Sequence, residues 1–142
     1  MSDKYNAPED SLDSSSRIRN ETLFSECQKI SDIFSRIGDK WSAYALLLLG
    51  NGPMRFGELK AKIDGISQRM LTLTLRGLER DGLVTRTVFA IVPPKVEYEL
   101  TPIALSLIEV LSHLGNWAIE HHQSVVDSRT QYDQRSKITR QM

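Results

Sequence analysis

Chain-breaking residues cut the middle of this sequence into short segments, and their spacing limits the folds that the chain can adopt. Five breakers follow one another: Gly50-Asn51-Gly52-Pro53, Asp64-Gly65, Gly82, Pro93-Pro94 and Thr101-Pro102. Glycine and proline at this density end helices and strands. The intervals between them favour two short helices, over 56–63 and 67–81, and two strands, over 84–89 and 96–100. The sequence therefore predicts a helix-turn-helix that is followed directly by a β-hairpin.

Apolar periodicity on both sides of this region predicts three further helices. The first covers 24–37, and the second covers 40–49, which is apolar nearly all round and so belongs at the centre of a domain. The last runs to about His122, with Thr101 as its cap and Pro102 at its first position. The expected fold class is therefore mainly α with a small β-hairpin, a winged helix-turn-helix.

The chain is expected to hold one domain with a polar segment at each end. Its 142 residues are enough for a single core. Residues 1–22 are polar and almost free of large apolar groups, which predicts a disordered acidic arm. Residues 23–124 hold the winged helix-turn-helix with its flanking helices. Residues 125–142 form a polar C-terminal tail, which we expect to be frayed or disordered.

The helix that begins after Ser67 has one apolar face and one face rich in arginine. At about 100° per residue, Leu71, Leu75 and Leu78 share the face that is expected to pack on the core. The opposite face carries Arg69, Thr72, Leu73, Arg76 and Arg80. Arginine can bind guanine through two hydrogen bonds and an apolar group can contact a thymine methyl, so this face suits the major groove of DNA. A solvated surface stripe would show the same pattern.

The hairpin would supply the wing of a winged helix. Its predicted tip covers 90–95 and would lie beside the DNA backbone, where Lys95 could meet a phosphate. Pro93 and Pro94 would stiffen this tip, or would merely end the two strands.

Several motifs in register make residues 27 to about 122 resemble a known family. These motifs are Ile37-Gly38-Asp39-Lys40-Trp41, Gly52-Pro53-Met54-Arg55-Phe56-Gly57-Glu58-Leu59, Gly65-Ile66-Ser67-Gln68-Arg69-Met70-Leu71-Thr72, Leu75-Arg76-Gly77-Leu78-Glu79-Arg80-Asp81-Gly82-Leu83-Val84 and Val92-Pro93-Pro94-Lys95-Val96-Glu97-Tyr98-Glu99-Leu100-Thr101. They resemble the HxlR-type family of bacterial winged helix-turn-helix transcriptional regulators. The resemblance implies a homodimer that binds a two-fold related operator in double-stranded DNA and controls nearby genes. It also implies a recognition helix over 67–80 and a wing over about 84–100.

The resemblance adds candidate DNA contacts. Arg55 either contacts a phosphate or forms a structural ion pair, and Gln68 is a candidate for a base or phosphate contact. Family members commonly have a polar residue where this chain has Leu73, so the readout here would shift toward apolar contact. The candidate DNA-binding residues are Ser67, Gln68, Arg69, Thr72, Leu73, Arg76, Lys95 and Arg55.

The last helix carries two apolar seams. One has a 4-3-4 spacing over Leu107, Leu111, Leu114 and Ala118, and its neighbour consists of Ile103, Val110 and Trp117. Either one seam packs on its own domain while the other needs a partner, or both form one stripe that is buried within the monomer. In the family that the chain resembles, the first and last helices form the dimer. The expected dimer interface is Leu107, Leu111, Leu114, Trp117 and Ala118.

The one cysteine, Cys27, lies near the start of the first predicted helix. In the thiol-sensing members of the family a cysteine at this position responds to quinones, aldehydes or oxidants. A helix N-terminus favours the reactive thiolate. These members commonly have proline next, whereas this chain has Gln28. Cys27 is either a sensor of a small electrophile or oxidant or a small buried apolar residue, and control by a non-covalent ligand, or by none, stays open.

Composition bears on the remaining classes of protein. The 18 basic and 18 acidic residues give zero net charge, which lowers non-specific affinity for DNA without removing the basic face over 67–80. One cysteine excludes an intrachain disulfide, and His113, His121 and His122 lack further ligands at metal spacing.

We find no catalytic set, so we expect no enzyme and no cofactor. No apolar run has the roughly 18 residues of a membrane span and no signal segment is visible, so we expect a cytoplasmic protein. A winged-helix protein-interaction module is the remote alternative.

Overall fold

The computed structural model describes residues 22–23 and 25–141, which fall into two units that divide after Gly38. The predicted acidic arm over 1–22 lies outside the described residues except for its last position. The first unit contains helix α1 (Cys27–Ile37), which ends at Gly38, where the backbone N–H donates to the carbonyl of Phe34. The predicted first helix is therefore present.

The second unit contains the helix-turn-helix and the wing. Its helices are α2 (Lys40–Leu49), α3 (Phe56–Lys62), α4 (Gln68–Arg80) and α5 (Pro102–Gln141), and its strands are β1 (Met54–Arg55), β2 (Val84–Phe89) and β3 (Lys95–Leu100). The strands form an antiparallel sheet in the order β1-β3-β2. Helix, turn, helix and a two-stranded wing follow one another as the breakers predict, which confirms the winged helix-turn-helix fold.

Side-chain caps and two glycines fix the ends of these helices. Asp39 accepts hydrogen bonds from the backbone N–H of Trp41 at 3.3 Å and from Ser42 Oγ at 3.1 Å, and so starts α2. Gly65 has φ +81° in the turn before α4, and Gly82 has φ +73° directly after it. Because L side chains rarely adopt such angles, glycine is favoured at both turns.

The core of the second unit is built around α2 and the apolar face of α4. Leu46 of α2 and Leu71 and Leu78 of α4 are completely buried, and Leu75 is 1% exposed. The predicted inward face of α4 is therefore confirmed. Trp41 is half-buried against this core.

Two local features differ from the sequence-based expectation. Strand β1 was not expected, because two residues are too few to show a period; it pairs with β3 through Met54 opposite Tyr98. Thr101 was expected to cap the last helix with its hydroxyl. Its Oγ1 donates instead to the carbonyl of Gly82 at 2.6 Å, which ties the base of the wing to the end of α4.

The last helix is much longer than predicted. We expected it to end near His122 and to be followed by a frayed tail, but α5 continues to Gln141. The prediction gave weight to the polar composition, whereas the sequence has no glycine or proline after Gly115 to end a helix. Hydroxyls of this polar part bond within the helix, as when Ser128 Oγ donates to the carbonyl of Ser124 at 3.0 Å. The 40 residues span about 60 Å.

Candidate nucleic-acid interface

The arginine-rich face of α4 is open to solvent. Arg69 and Arg76 are exposed, Leu73 is 49% exposed, and Thr72 is half-buried between them. A shallow depression of about 510 Å³ is lined by Gln68, Arg69, Thr72, Leu73 and Arg76. Five of the candidate DNA-binding residues therefore share one surface on one helix.

Two hydroxyls of this surface are engaged inside the helix. Ser67 Oγ accepts a hydrogen bond from the backbone N–H of Met70 at 3.0 Å, so Ser67 is the N-cap of α4. Thr72 Oγ1 donates to the carbonyl of Gln68 at 2.9 Å. Because the only proton of the Thr72 hydroxyl is used there, this side chain can offer an outside group an acceptor and a methyl but no donor.

The arginines on this face can be checked for ion pairs within the described residues. None of the arginines of α4 forms an ion pair with another residue in the part of the chain that the structure describes. Guanidinium groups that are exposed and unpaired are available to phosphate oxygens or base edges.

Lys95 occupies a different place from the one predicted. It is the first residue of β3 rather than part of the tip, and its Nζ lies 2.6 Å from Glu97 Oε1 and 5.1 Å from the centre of the Phe89 ring. A lysine held in this way has to leave Glu97 before it can contact a phosphate. The tip itself, over 90–94, is apolar and exposed, with Val92 fully open to solvent.

Arg55 joins the sheet to the helix-turn-helix. It is the N-cap of α3, and its backbone N–H donates to Glu58 Oε1 at 3.4 Å. Its side chain is exposed and forms no ion pair with any other residue over 22–23 and 25–141. The interpretation of Arg55 as a structural ion-pair partner therefore has no support.

Sequence reasoning missed one arginine near this surface, Arg86 of β2. A cavity of about 410 Å³ lies between α4 and the sheet, and it is lined by Phe56, Thr72, Arg76, Glu79, Arg86 and Tyr98. The available signal was the alternation of β2, which puts Arg86 on the same side of the strand as the buried Val84.

In the first unit, Cys27 is the first residue of α1 and is exposed. The interpretation of Cys27 as a buried apolar residue is therefore wrong within this unit. Its neighbours Glu26 and Lys29 form an exposed ion pair, with 3.0 Å between Oε2 and Nζ.

The apolar side chains of α5 divide into a buried stripe and an exposed one. Leu111 is 4% exposed, so its assignment to a dimer interface is wrong, whereas Leu107 is half-buried against the same core and its assignment stays a prediction. Ala118 is exposed. The exposed stripe consists of Ile103, Val110, Leu114 and Trp117, each more than half exposed. These four lie within roughly 60° of one another on a helical wheel.

By length and composition alone, an 18-residue window of α5 is also apolar enough to cross a membrane. Such a window was not predicted from the sequence. Because Ala104 and Leu111 of the same helix are buried in the core, this helix is part of the winged domain. No group of three or more metal-ligating side chains lies within the described residues.

Comparisons with known proteins agree with this architecture. Residues 36–126 match the model of the HxlR-like helix-turn-helix family. The chain is 34% identical over 103 residues to the HTH-type transcriptional regulator YtfH of Escherichia coli K12, and the match covers 72% of this chain and 82% of YtfH.

Two solved structures show the same fold. The ytfH protein from Salmonella typhimurium, assigned as a transcriptional regulator, matches with a TM-score of 0.66 and 31% identity over 70% of this chain and 89% of that one. The redox regulator HypR in its reduced form matches with a TM-score of 0.65 and 37% identity over 70% of this chain and 98% of that one. The family match, the shared fold and the exposed basic face of α4 together identify the chain as a DNA-binding transcriptional regulator of the HxlR-like helix-turn-helix family.

Proposed function

We propose that this regulator acts in the cytoplasm as a homodimer whose two α4 helices read a two-fold related operator. The observation that carries the proposal is the exposed face of α4, where Leu73 is flanked by guanidinium groups that form no ion pair with any described residue. A helix presented in this way fits the major groove, and phosphate contacts around it would fix its position.

The residues of this face have different roles in the proposal. Arg69 offers a two-pronged donor for guanine, and Leu73 offers an apolar contact for a thymine methyl. Thr72 and Arg76 complete the groove-facing set, and Ser67 and Gln68 lie at the end of α4 where its N-terminus favours a phosphate. Arg55 and, after release from Glu97, Lys95 would contact the backbone.

Replacement of Arg69 tests the proposed base contact. An operator would first be selected from random duplexes with the wild-type protein. Arg69→Ala is expected to weaken binding to this operator by about 1–3 kcal/mol while binding to unrelated DNA changes much less. Arg129→Ala removes the same charge from an exposed position on α5 and is the matched control. Equal losses on both duplexes would make Arg69 a phosphate contact and would overturn its role in base reading.

The exposed stripe of α5 supports the dimer. Ile103, Val110, Leu114 and Trp117 are too large and too apolar to leave four together in water without a partner. Their spacing of seven, four and three residues is the spacing of a helix–helix seam. We assign the same stripe of a second chain as the partner, because a two-fold related operator requires two recognition helices.

Cys27 is the proposed point of control by oxidants or electrophiles. Its exposure at the first residue of α1 supports access by a small reagent. A solved relative, HypR, carries the description of a redox regulator. Because the chain has one cysteine, a disulfide of Cys27 joins either two chains or one chain and a small thiol.

Cys27→Ser tests this control directly. Diamide or a quinone is expected to change operator binding by the wild type and to leave the Cys27→Ser variant unaffected. Mass spectrometry of the treated wild type should locate the adduct or disulfide on Cys27. An equal change in both proteins would contradict control through this thiol.

A further inference from the structure

We propose that the cavity between α4 and the wing binds one phosphate of the DNA backbone, which Arg76 and Arg86 hold together. This inference rests on the DNA-binding role proposed above and deepens it. It names a backbone contact that the sequence does not reveal, and it moves Arg76 from base reading to phosphate binding.

The cavity lies where four elements of the second unit meet. Phe56 begins α3, Arg76 belongs to α4, Arg86 belongs to β2, and Tyr98 belongs to β3, and all four line the same space of about 410 Å³. Arg86 and Tyr98 are directly opposite in the β2–β3 ladder. Two guanidinium groups from different elements therefore converge on one space beside the recognition helix.

The charge and hydrogen-bonding groups of the cavity suit a phosphate. Arg76 and Arg86 are exposed, and neither forms an ion pair with any other described residue. Guanidinium forks match the paired oxygens of a phosphate diester, and the Tyr98 hydroxyl can donate a further hydrogen bond. Thr72 supplies no donor, because its hydroxyl already donates to Gln68. Glu79 is the one acidic side chain among the lining residues, so the basic groups prevail two to one.

Position separates this cavity from the groove-facing surface. Arg69 and Leu73 line only the open depression along α4, whereas Arg76 lines both that depression and the cavity that contains Arg86. Because Arg86 adds a second positive charge beside Arg76, a phosphate is attracted to the cavity. Arg69 and Leu73 then remain to contact the bases.

A double-mutant comparison tests whether the two arginines share one phosphate. Binding of wild type, Arg76→Ala, Arg86→Ala and the double variant would be measured on the selected operator and on a short mixed-sequence duplex, at several salt concentrations. Each single variant is expected to lose about ten- to a hundredfold affinity on both duplexes. The double variant is expected to lose little more than the weaker-binding single variant, since both remove the same contact. Its salt slope should fall by about 0.9 for each bound subunit.

Control measurements distinguish loss of the phosphate contact from loss of folded protein. Unfolding in urea should be unchanged in the arginine variants. Arg129→Ala removes an exposed charge elsewhere and should bind both duplexes as the wild type does. Glu79→Gln should tighten binding to both duplexes, because it removes the carboxylate that faces the proposed phosphate.

The outcomes separate this inference from the DNA-binding proposal. Failure of the wild type to bind either duplex at low salt would overturn the DNA-binding role itself. Wild-type binding with an unaffected Arg86→Ala variant would overturn the inference alone. So would losses that multiply in the double variant, or a loss for Arg76→Ala that is confined to the operator. Weaker binding by Glu79→Gln would also contradict a phosphate in this cavity.

Discussion

Leu73 is the residue whose chemistry most distinguishes the proposed recognition surface. It is 49% exposed between arginines, and burial of this apolar surface against a partner would be favourable. Leu73→Ala is expected to weaken binding to the selected operator by about 1 kcal/mol through loss of apolar contact, with no change on unrelated DNA. Replacement of the contacted thymine by uracil, which lacks the methyl, should weaken wild-type binding and leave the Leu73→Ala variant unchanged. Additive losses would show that Leu73 does not touch that methyl.

Ser67 has a structural role that can be measured apart from DNA. Its Oγ caps α4 through the N–H of Met70, and loss of such a cap costs about 1 kcal/mol. Ser67→Ala should lower the free energy of unfolding in urea by that amount. Ser112→Ala, at an exposed position inside α5, is the matched control and should not lower the unfolding free energy, because alanine favours a helix interior more than serine does. An unchanged unfolding free energy for Ser67→Ala would refute the cap.

Single residues also show where sequence reasoning ends. The exposed positions of Arg69, Leu73 and Arg76 could be predicted, because the helical period alone separates them from the buried leucines of α4. The alternation of β2 indicates only the side of the strand on which Arg86 lies, whereas its position beside Arg76 exists only after β2 has paired and α4 has packed beside it. The ion pair of Lys95 could not be predicted for a related reason: it joins two residues on one face of β3, whereas the proline pair before Lys95 predicts a tip that includes it.

At the scale of elements, α5 has two faces with opposite roles, and substitutions should separate them. Leu111→Ala opens a cavity in the core and should lower the free energy of unfolding by about 2–5 kcal/mol. Leu114→Glu places a charge on the exposed stripe and should turn the proposed dimer into a monomer in sedimentation experiments, with the helical content of each chain retained. A Leu114→Glu protein that remains dimeric would exclude this stripe as the interface.

The polar end of α5 makes a separate prediction. Residues 127–141 continue the helix beyond the family match, and the structure gives them no buried side chain. Deletion of residues after Val126 is therefore expected to change the unfolding free energy of the winged domain by less than about 0.5 kcal/mol. Urea unfolding measures this directly, and a loss of several kcal/mol would show that the end of α5 packs on the domain.

The elements that could be predicted are those with a clear period or a strong breaker. The intervals between the breakers gave α3, α4, β2 and β3 nearly at their observed bounds. Strand β1 has two residues and no period, and the end of α5 has polar residues that predict a tail yet contain nothing to stop a helix. The secondary structure of such segments depends on pairing with another strand, or on extension of the helix that precedes them, rather than on their own residue pattern.

For the whole molecule, zero net charge does not argue against DNA binding, because the charge is unevenly placed. Residues 67–80 carry three arginines and one glutamate, whereas acidic residues outnumber basic ones over 1–26. A neutral total gives little long-range attraction, so affinity has to come from the local basic face and, in the proposed homodimer, from two subunits that bind together. Operator binding should therefore fall steeply with salt and should follow the concentration of the dimer.

Cross-linking from the centre of α4 tests the central claim most directly. A Leu73→Cys variant in the Cys27→Ser background has one thiol, on the face proposed to enter the major groove. The operator duplex would carry, at matching positions of both half-sites, a base tethered in that groove to a mixed disulfide with a small thiol. The thiolate at position 73 should displace that small thiol and become joined to the DNA by thiol–disulfide exchange, whereas Ser112→Cys in the same background should form no cross-link. Tight operator binding without a cross-link from position 73 at any base of the site would contradict major-groove reading by α4.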